Sequence, residues 1–149
     1  LPQGAPLAAS DVAAIERHGA DIGAVGIMVL QDGKLRYRWS RDGSDPRWTS
    51  FSVAKSFTST LLGAAVRDGA LKLSDPVTTH LPGLAGTAYD GVTVEQVATM
   101  TSGVKWNEDY ADPASDVARM LTVAPQPGEA QSITYARTLT RAAPLGQGK

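Results

Sequence analysis

The chain has no cysteine, so disulfide bonds, thiolate metal sites and cysteine nucleophiles are all excluded. Either an oxidising or a reducing compartment would suit it. Histidine is scarce. His18 and His80 are the only two, and no His-x-x-x-His spacing joins them to a metal-ligand pattern, so each reads as structural or solvated. No metal and no cofactor are expected. Charge of one sign is missing as well: 14 Lys+Arg against 15 Asp+Glu leave a net charge of -1. Without a basic stripe, neither nucleic acid nor an anionic membrane surface is an expected partner. No apolar run approaches the length that crosses a bilayer.

What remains is the composition of a folded domain, 42% hydrophobic and 19% charged over 149 residues. That length suits one ordinary domain or part of a larger one. The first residue is leucine and no signal-peptide pattern opens the chain. The end, Gly146-Gln147-Gly148-Lys149, carries no helix or strand pattern. The expectation is that the sequence is the N-terminal portion of a longer parent.

The patterning alternates helix and strand signals. Ser10 is placed to cap a helix through His18, with Val12 and Ile15 on one face and Gly19 as its stop. Residues 24–30 form a compact apolar run, expected to be a buried strand. Asp32-Gly33 is a two-residue hairpin signal. Residues 34–40 then alternate Leu35, Tyr37 and Trp39 with Lys34, Arg36 and Arg38, as in a sheet with one covered and one wet face. Residues 41–46 read as a loop. A long amphipathic helix is expected from about Ser52, carrying Phe57, Leu61, Leu62, Ala65 and Val66 and ending at Gly69. Ser74-Asp75-Pro76 opens a turn or short helix that Leu81-Pro82-Gly83 breaks. Thr93-Val94-Glu95-Gln96 is a capping box, which predicts a helix to about Thr101. Residues 106–113 read as an irregular loop, 116–123 as helix, 125–128 as a turn and 133–142 as helix.

The chemistry concentrates in Ser52-Val53-Ala54-Lys55. On a helix, residues three apart share a face, so the Ser52 hydroxyl and the Lys55 amine meet. A serine hydroxyl is a weak nucleophile, and an amine without its proton can activate it. A helix N-terminus adds unpaired N–H groups that favour a developing oxyanion. Val53, Ala54 and Phe57 are expected to desolvate Lys55. The plainer alternative is a serine helix cap followed by a solvated lysine. A second Ser-x-x-Lys, Ser102 to Lys105, has glycine after the serine at an expected helix end, so its side chains should not share a face.

The wider sequence around the first copy is informative. Residues 48–59, Trp-Thr-Ser-Phe-Ser-Val-Ala-Lys-Ser-Phe-Thr-Ser, resemble the active-site segment of class C β-lactamase-like serine hydrolases, whose opening motif is Ser-x-x-Lys. The resemblance continues through residues 69–77, Leu81-Pro82, residues 92–96 and residues 100–104. Residues 105–113, Lys-Trp-Asn-Glu-Asp-Tyr-Ala-Asp-Pro, look most like the 6-aminohexanoate-dimer (nylon oligomer) hydrolase branch. The likeness spans residues 26–123, through order and spacing. It implies an α/β (α+β) architecture: an antiparallel sheet flanked by helices beside a mostly helical region, with the Ser52 helix at their junction. Residues 24–40 would supply a hairpin of the sheet and 51–149 the mostly helical part. It also implies acyl-enzyme chemistry on small amides or esters. Ser52 would be the nucleophile, Lys55 its proton partner, and the Ser52 N–H half of an oxyanion hole. Tyr110 would touch substrate; the plainer reading makes it an aromatic anchor of its loop.

The family's second motif, a tyrosine followed two residues later by asparagine or serine, does not occur here, nor does its late Lys/His-Thr/Ser-Gly segment. Tyr135 is the one tyrosine in the last quarter, and Arg137 stands where asparagine is required. Residues 141–146 resemble the segment just upstream of that motif. The alternative is therefore a truncated, non-catalytic relative or a binding module; a β-lactamase or DD-peptidase is a further one. The resemblance also implies that the hairpin pairs with strands the chain lacks, so the remainder of the parent chain would be a partner. A lone hairpin is marginal in water and its open edge invites association. The chain by itself is expected to be poorly stable or to associate, and a sharp, cooperative melt of a monomer would contradict this.

Overall fold

The computed structural model describes residues 1–44 and 47–147. They form two compact units, Leu1–Ser50 and Phe51–Lys149.

The first unit is a helix and a hairpin. Helix α1 spans Ala9–Asp21, with Ala8 as N-cap and no side-chain cap. Ser10 therefore lies within the first turn and caps nothing. The helix also runs on past Gly19 to Asp21, because Gly19 is the buried contact of this helix: a Cβ there would sit 2.7 Å from Ile27 Cδ1. Strands β1 (Gly26–Gln31) and β2 (Lys34–Ser40) pair antiparallel. Asp32 at φ 51° and Gly33 at φ 71° make the turn, whose twist matches that of the strands it joins. The register sets Ile27 opposite Trp39 and Val29 opposite Tyr37. These four are half-buried, and the Tyr37 hydroxyl donates to Glu16 Oε1 of α1 at 2.6 Å. On the other face Met28 and Leu30 are exposed. The expectation of a fully buried β1 was thus wrong by one face. Its apolar run fixed a strand, but α1 covers only one side of it.

Arg36 departs from the alternation of β2. A bulge falls between Val29 and Leu30, so Arg36 has no partner across the ladder. It is half-buried instead, and its guanidinium donates to the Ala5 carbonyl and to Gln31 Oε1. The N-terminal segment meets β2 here. Gly4 N–H donates to the Leu35 carbonyl and Leu35 N–H to the Pro2 carbonyl, both at 2.8 Å. This short parallel pairing covers part of an edge that no residue pattern marked as covered. Of the loop read over 41–46, Asp45 and Pro46 lie outside the described residues, as do Gly148 and Lys149 of the C-terminal segment.

The second unit is mostly helical. A 3-10 turn, Phe51–Val53, leads into α2 (Ala54–Arg67). Gly69 ends α2 as expected. At φ 73° it lets its own N–H reach the Val66 carbonyl and that of Ala70 the Ala65 carbonyl, a paired C-cap. Then follow α3 (Val77–His80), a 3-10 turn at Pro82–Leu84, α4 (Val94–Ala98), α5 (Asp116–Thr122) and α6 (Gln131–Ala136). The capping box forms: Thr93 Oγ1 accepts from Gln96 N–H and Gln96 Oε1 from Thr93 N–H. Yet α4 stops at Ala98, short of Thr101. Met100 takes φ 60°, and the N–H groups of Met100 and Thr101 close onto the Val97 and Gln96 carbonyls. A methionine fills the place glycine usually takes, which no residue pattern announces. Helix α6 covers the first part of the region read as helix over 133–142 and starts two residues earlier. Arg137 and Thr138 form a turn that ends it, and farther on Arg141 bridges to Val104.

Among the described residues, the buried hydrophobic side chains are Val77, Leu84, Val92, Val104, Val117 and Tyr135, all in this unit. The apolar stripe of α2 is not among them. Phe57 is 66% exposed, Leu61 69%, and no residue of α2 is buried. The amphipathic pattern made the helix, but within this unit too little packs on it to cover the stripe. Phe51, Val53, Phe57 and Leu61, open together, are the physical ground for expecting the isolated chain to associate.

Candidate active site

Ser52 sits in the 3-10 turn and Lys55 is the second residue of α2. Lys55 Nζ donates to Ser52 Oγ at 3.0 Å. The single turn between them sets this distance, as the i, i+3 spacing requires. The capping alternative does not hold: Val53 is the N-cap of α2 and no side chain caps it. The serine hydroxyl is spent on the amine and not on a helix N–H.

Two features differ from expectation. Val53 and Phe57 are exposed, and so is Lys55, so the expected apolar shield around the amine is not in place. The second feature lies one residue upstream. Phe51 has φ 44° while 82% exposed. A residue with a Cβ pays about 1–2 kcal/mol for this region, and such strain gathers where a side chain must be aimed. Sequence offered no signal for it, since glycine or asparagine would be the usual occupant.

The second Ser-x-x-Lys behaves as read. Gly103 holds φ 70° and the Ser102 hydroxyl accepts from Val104 N–H at 3.3 Å. Gly103 is also where the chain meets Ala143: a Cβ would lie 2.2 Å from that carbonyl oxygen. The turn exists for this close approach and not for chemistry.

Tyr110 is 75% exposed, with its hydroxyl donating to Glu108 Oε1 at 2.9 Å. It therefore does not anchor its loop on the core, which corrects the plainer reading. The loop holds itself instead: Asn107 Oδ1 accepts from Asp109 N–H and Asp109 Oδ1 from Ala111 N–H. Tyr135 is the opposite case. It is 7% exposed, packs edge-on against Trp106 with ring centroids 6.3 Å apart, and donates to Asp116 Oδ1 at 2.8 Å. His80 Nε2 lies 3.0 Å from Asp75 Oδ2, and His18 is exposed in the last turn of α1. Among the described residues no cluster of His, Cys, Asp or Glu is arranged to hold a metal.

All four tyrosines are held above their ordinary value of 10. Burial and then Glu16 push Tyr37 up to about 12; the Glu108 bond raises Tyr110; burial raises Tyr89; burial and then the Asp116 bond raise Tyr135. Folding thus favours the neutral phenols. That contribution is complete below pH 10 and is lost as pH climbs through the raised values, to about 12 for Tyr37. Tyrosinate absorbance of the folded chain should therefore lag that of the chain in urea over this window. Superimposed titrations would refute the tyrosine environments described here.

A family model described as Beta-lactamase matches residues 12–148. The 6-aminohexanoate-dimer hydrolase of Paenarthrobacter ureafaciens is 40% identical over 92 residues, covering 60% of this chain and 24% of that protein. A beta-lactamase of Pseudomonas fluorescens is 38% identical over 92 residues, covering 56% of this chain and 26% of that one. The matched stretch is thus about a quarter of each relative's length. In fold, a class C beta-lactamase in complex with cefoxitin superposes with a TM-score of 0.60 at 22% identity, over 91% of this chain and 37% of that one. A second class C beta lactamase gives 0.60 at 22%, over 92% and 39%. The mixed architecture of helices and an antiparallel hairpin is therefore part of the class C beta-lactamase fold.

Proposed function

The chain belongs to the beta-lactamase family, and on that premise we propose that it carries the nucleophile of a serine hydrolase acting on small amides or esters. The observation that carries the reading is the 3.0 Å contact between Lys55 Nζ and Ser52 Oγ. In the reactive form Lys55 is an unprotonated amine. Ser52 Oγ attacks the substrate carbonyl and its proton passes to Nζ. The tetrahedral oxyanion is held in part by the Ser52 N–H, with the positive end of α2 behind it. Collapse expels the amine or alcohol, which takes the proton, and leaves an acyl-serine that water hydrolyses. In this reading Tyr110 touches the substrate amide from its exposed loop. The second oxyanion donor, and whatever covers the open stripe of α2, come from polypeptide beyond these residues.

The 40% identity to a 6-aminohexanoate-dimer hydrolase supports linear amides as substrates; the relatives described as beta-lactamases support β-lactams. Turnover of a 6-aminohexanoate dimer, a p-nitrophenyl ester and a chromogenic cephalosporin, compared side by side, separates the two. A non-catalytic role for these 149 residues alone is favoured by Tyr135, whose hydroxyl is committed to Asp116 and buried. The deciding experiment is covalent labelling. A fluorophosphonate probe should add to Ser52, located by peptide mass spectrometry, and Ser52→Ala should take up none. Labelling of other serines only, together with no labelling of Ser52, would remove the nucleophile from the proposal.

A further inference from the structure

We propose that the pocket flanked by Lys105 and Arg119 binds a small oxyanion, the carboxylate or phosphate group of a small molecule. The pocket has a volume of about 550 Å³, and Lys105, Asn107, Asp116, Arg119, Tyr135 and Thr140 line it. Its charge balance is uneven. Asp116 is the one carboxylate in the lining, and both of its oxygens are already engaged. Oδ2 accepts from Asn107 N–H at 2.7 Å and Oδ1 from the Tyr135 hydroxyl at 2.8 Å. Two cations share the lining with it. Among the described residues neither Lys105 nor Arg119 forms an ion pair. The Arg119 guanidinium lies beside the Tyr135 hydroxyl, where it opposes the raising effect of burial on that phenol.

The neutral groups add further donors. Asn107 spends its side-chain oxygen on Asp109 N–H, which leaves its amide N–H₂ free among the described residues. The Thr140 hydroxyl has no partner there either, while its carbonyl is taken by Lys105 N–H at 2.8 Å. A pocket with several free donors and net positive charge is matched by a ligand that brings negative charge and several lone pairs. The two cations come from separate segments that the fold ties together. Lys105 follows the bridge between Val104 and Arg141, and Arg119 lies on α5, which Ser115 caps and whose Asp116 binds Asn107 N–H. The backbone positions of the two residues are therefore set before any ligand arrives. Two cations on a chain of net charge -1 fit a compact anion better than a nucleic acid or a lipid surface.

The test is equilibrium dialysis of the chain against radiolabelled inorganic phosphate and, separately, against labelled acetate at low ionic strength. Dialysis reads binding whatever the association state of the chain. Saturable binding of one ligand per chain is expected, weakening as salt is raised. Arg119→Gln and Lys105→Gln, both at exposed positions, should each raise Kd by about tenfold with circular dichroism unchanged. Thr140→Val removes one neutral donor and should raise it less. Preference for phosphate or for acetate identifies the source of the oxyanion. Absence of saturable binding of both probes, or wild-type affinity in both charge variants, overturns the proposal.

Discussion

On the proposed reading, Ser52→Ala is expected to lower ester or amide turnover by at least about a thousandfold. The substitution removes one oxygen from an exposed turn and leaves α2 uncapped as before, so folding should not change. What it removes is the hydroxyl that accepts from Lys55 Nζ at 3.0 Å. The paired variants sharpen the result. Lys55→Ala should fall nearly as far, since Oγ then has no partner to take its proton. Lys55→Arg keeps the positive charge but cannot give up a proton at working pH, so it should not rescue. The double variant Ser52→Ala/Lys55→Ala should be no worse than the serine variant alone, because groups that act as one unit are not additive. Full activity of Ser52→Ala on p-nitrophenyl esters would end the assignment. Rescue by arginine would recast Lys55 as a fixed charge rather than a base.

Tyr135→Ala is expected to destabilise the second unit by about 3–5 kcal/mol, the range for deleting a buried aromatic ring. Total stability of a domain is only about 5–15 kcal/mol, so this is enough to unfold much of the population. The ring is 7% exposed and its edge contact with Trp106 goes with it. Tyr135→Phe keeps the ring and removes the hydroxyl that donates to Asp116 Oδ1. It should cost about 1–3 kcal/mol, because a half-buried carboxylate then loses a donor. Urea unfolding followed by tryptophan fluorescence should rank wild type above phenylalanine above alanine. A phenylalanine variant of unchanged stability that loses turnover would mean that Tyr135 works in catalysis after all.

The contrast between these residues shows where the sequence was legible. The Ser52–Lys55 pairing could be read because one helical turn fixes it; nothing distant is needed to bring i and i+3 together. The Asp32-Gly33 turn, the capping box at Thr93 and the stop at Gly69 were legible for the same reason. Each is a local hydrogen-bond arrangement written in adjacent residue types. Burial was not legible. The apolar run of β1 looked covered on both faces and is covered on one. The stripe of α2 looked buried, yet Phe57 and Leu61 are exposed and Leu62, Ala65 and Val66 only half-buried. Tyr110 and Tyr135 differ little as letters, yet one is exposed on a self-braced loop and the other is locked against Trp106 and Asp116.

The residues by themselves determined the order of helices and strands, the hairpin and the nucleophile–amine pair, because their energetics are set within a few bonds of the chain. Only the tertiary structure decided which apolar faces are covered, that Phe51 and Met100 adopt left-handed backbone, and that Asp116 is consumed by Asn107 and Tyr135. Those outcomes depend on which distant segment arrives at each surface. Packing of that kind is a property of the whole arrangement in space, and no window of neighbouring letters encodes it.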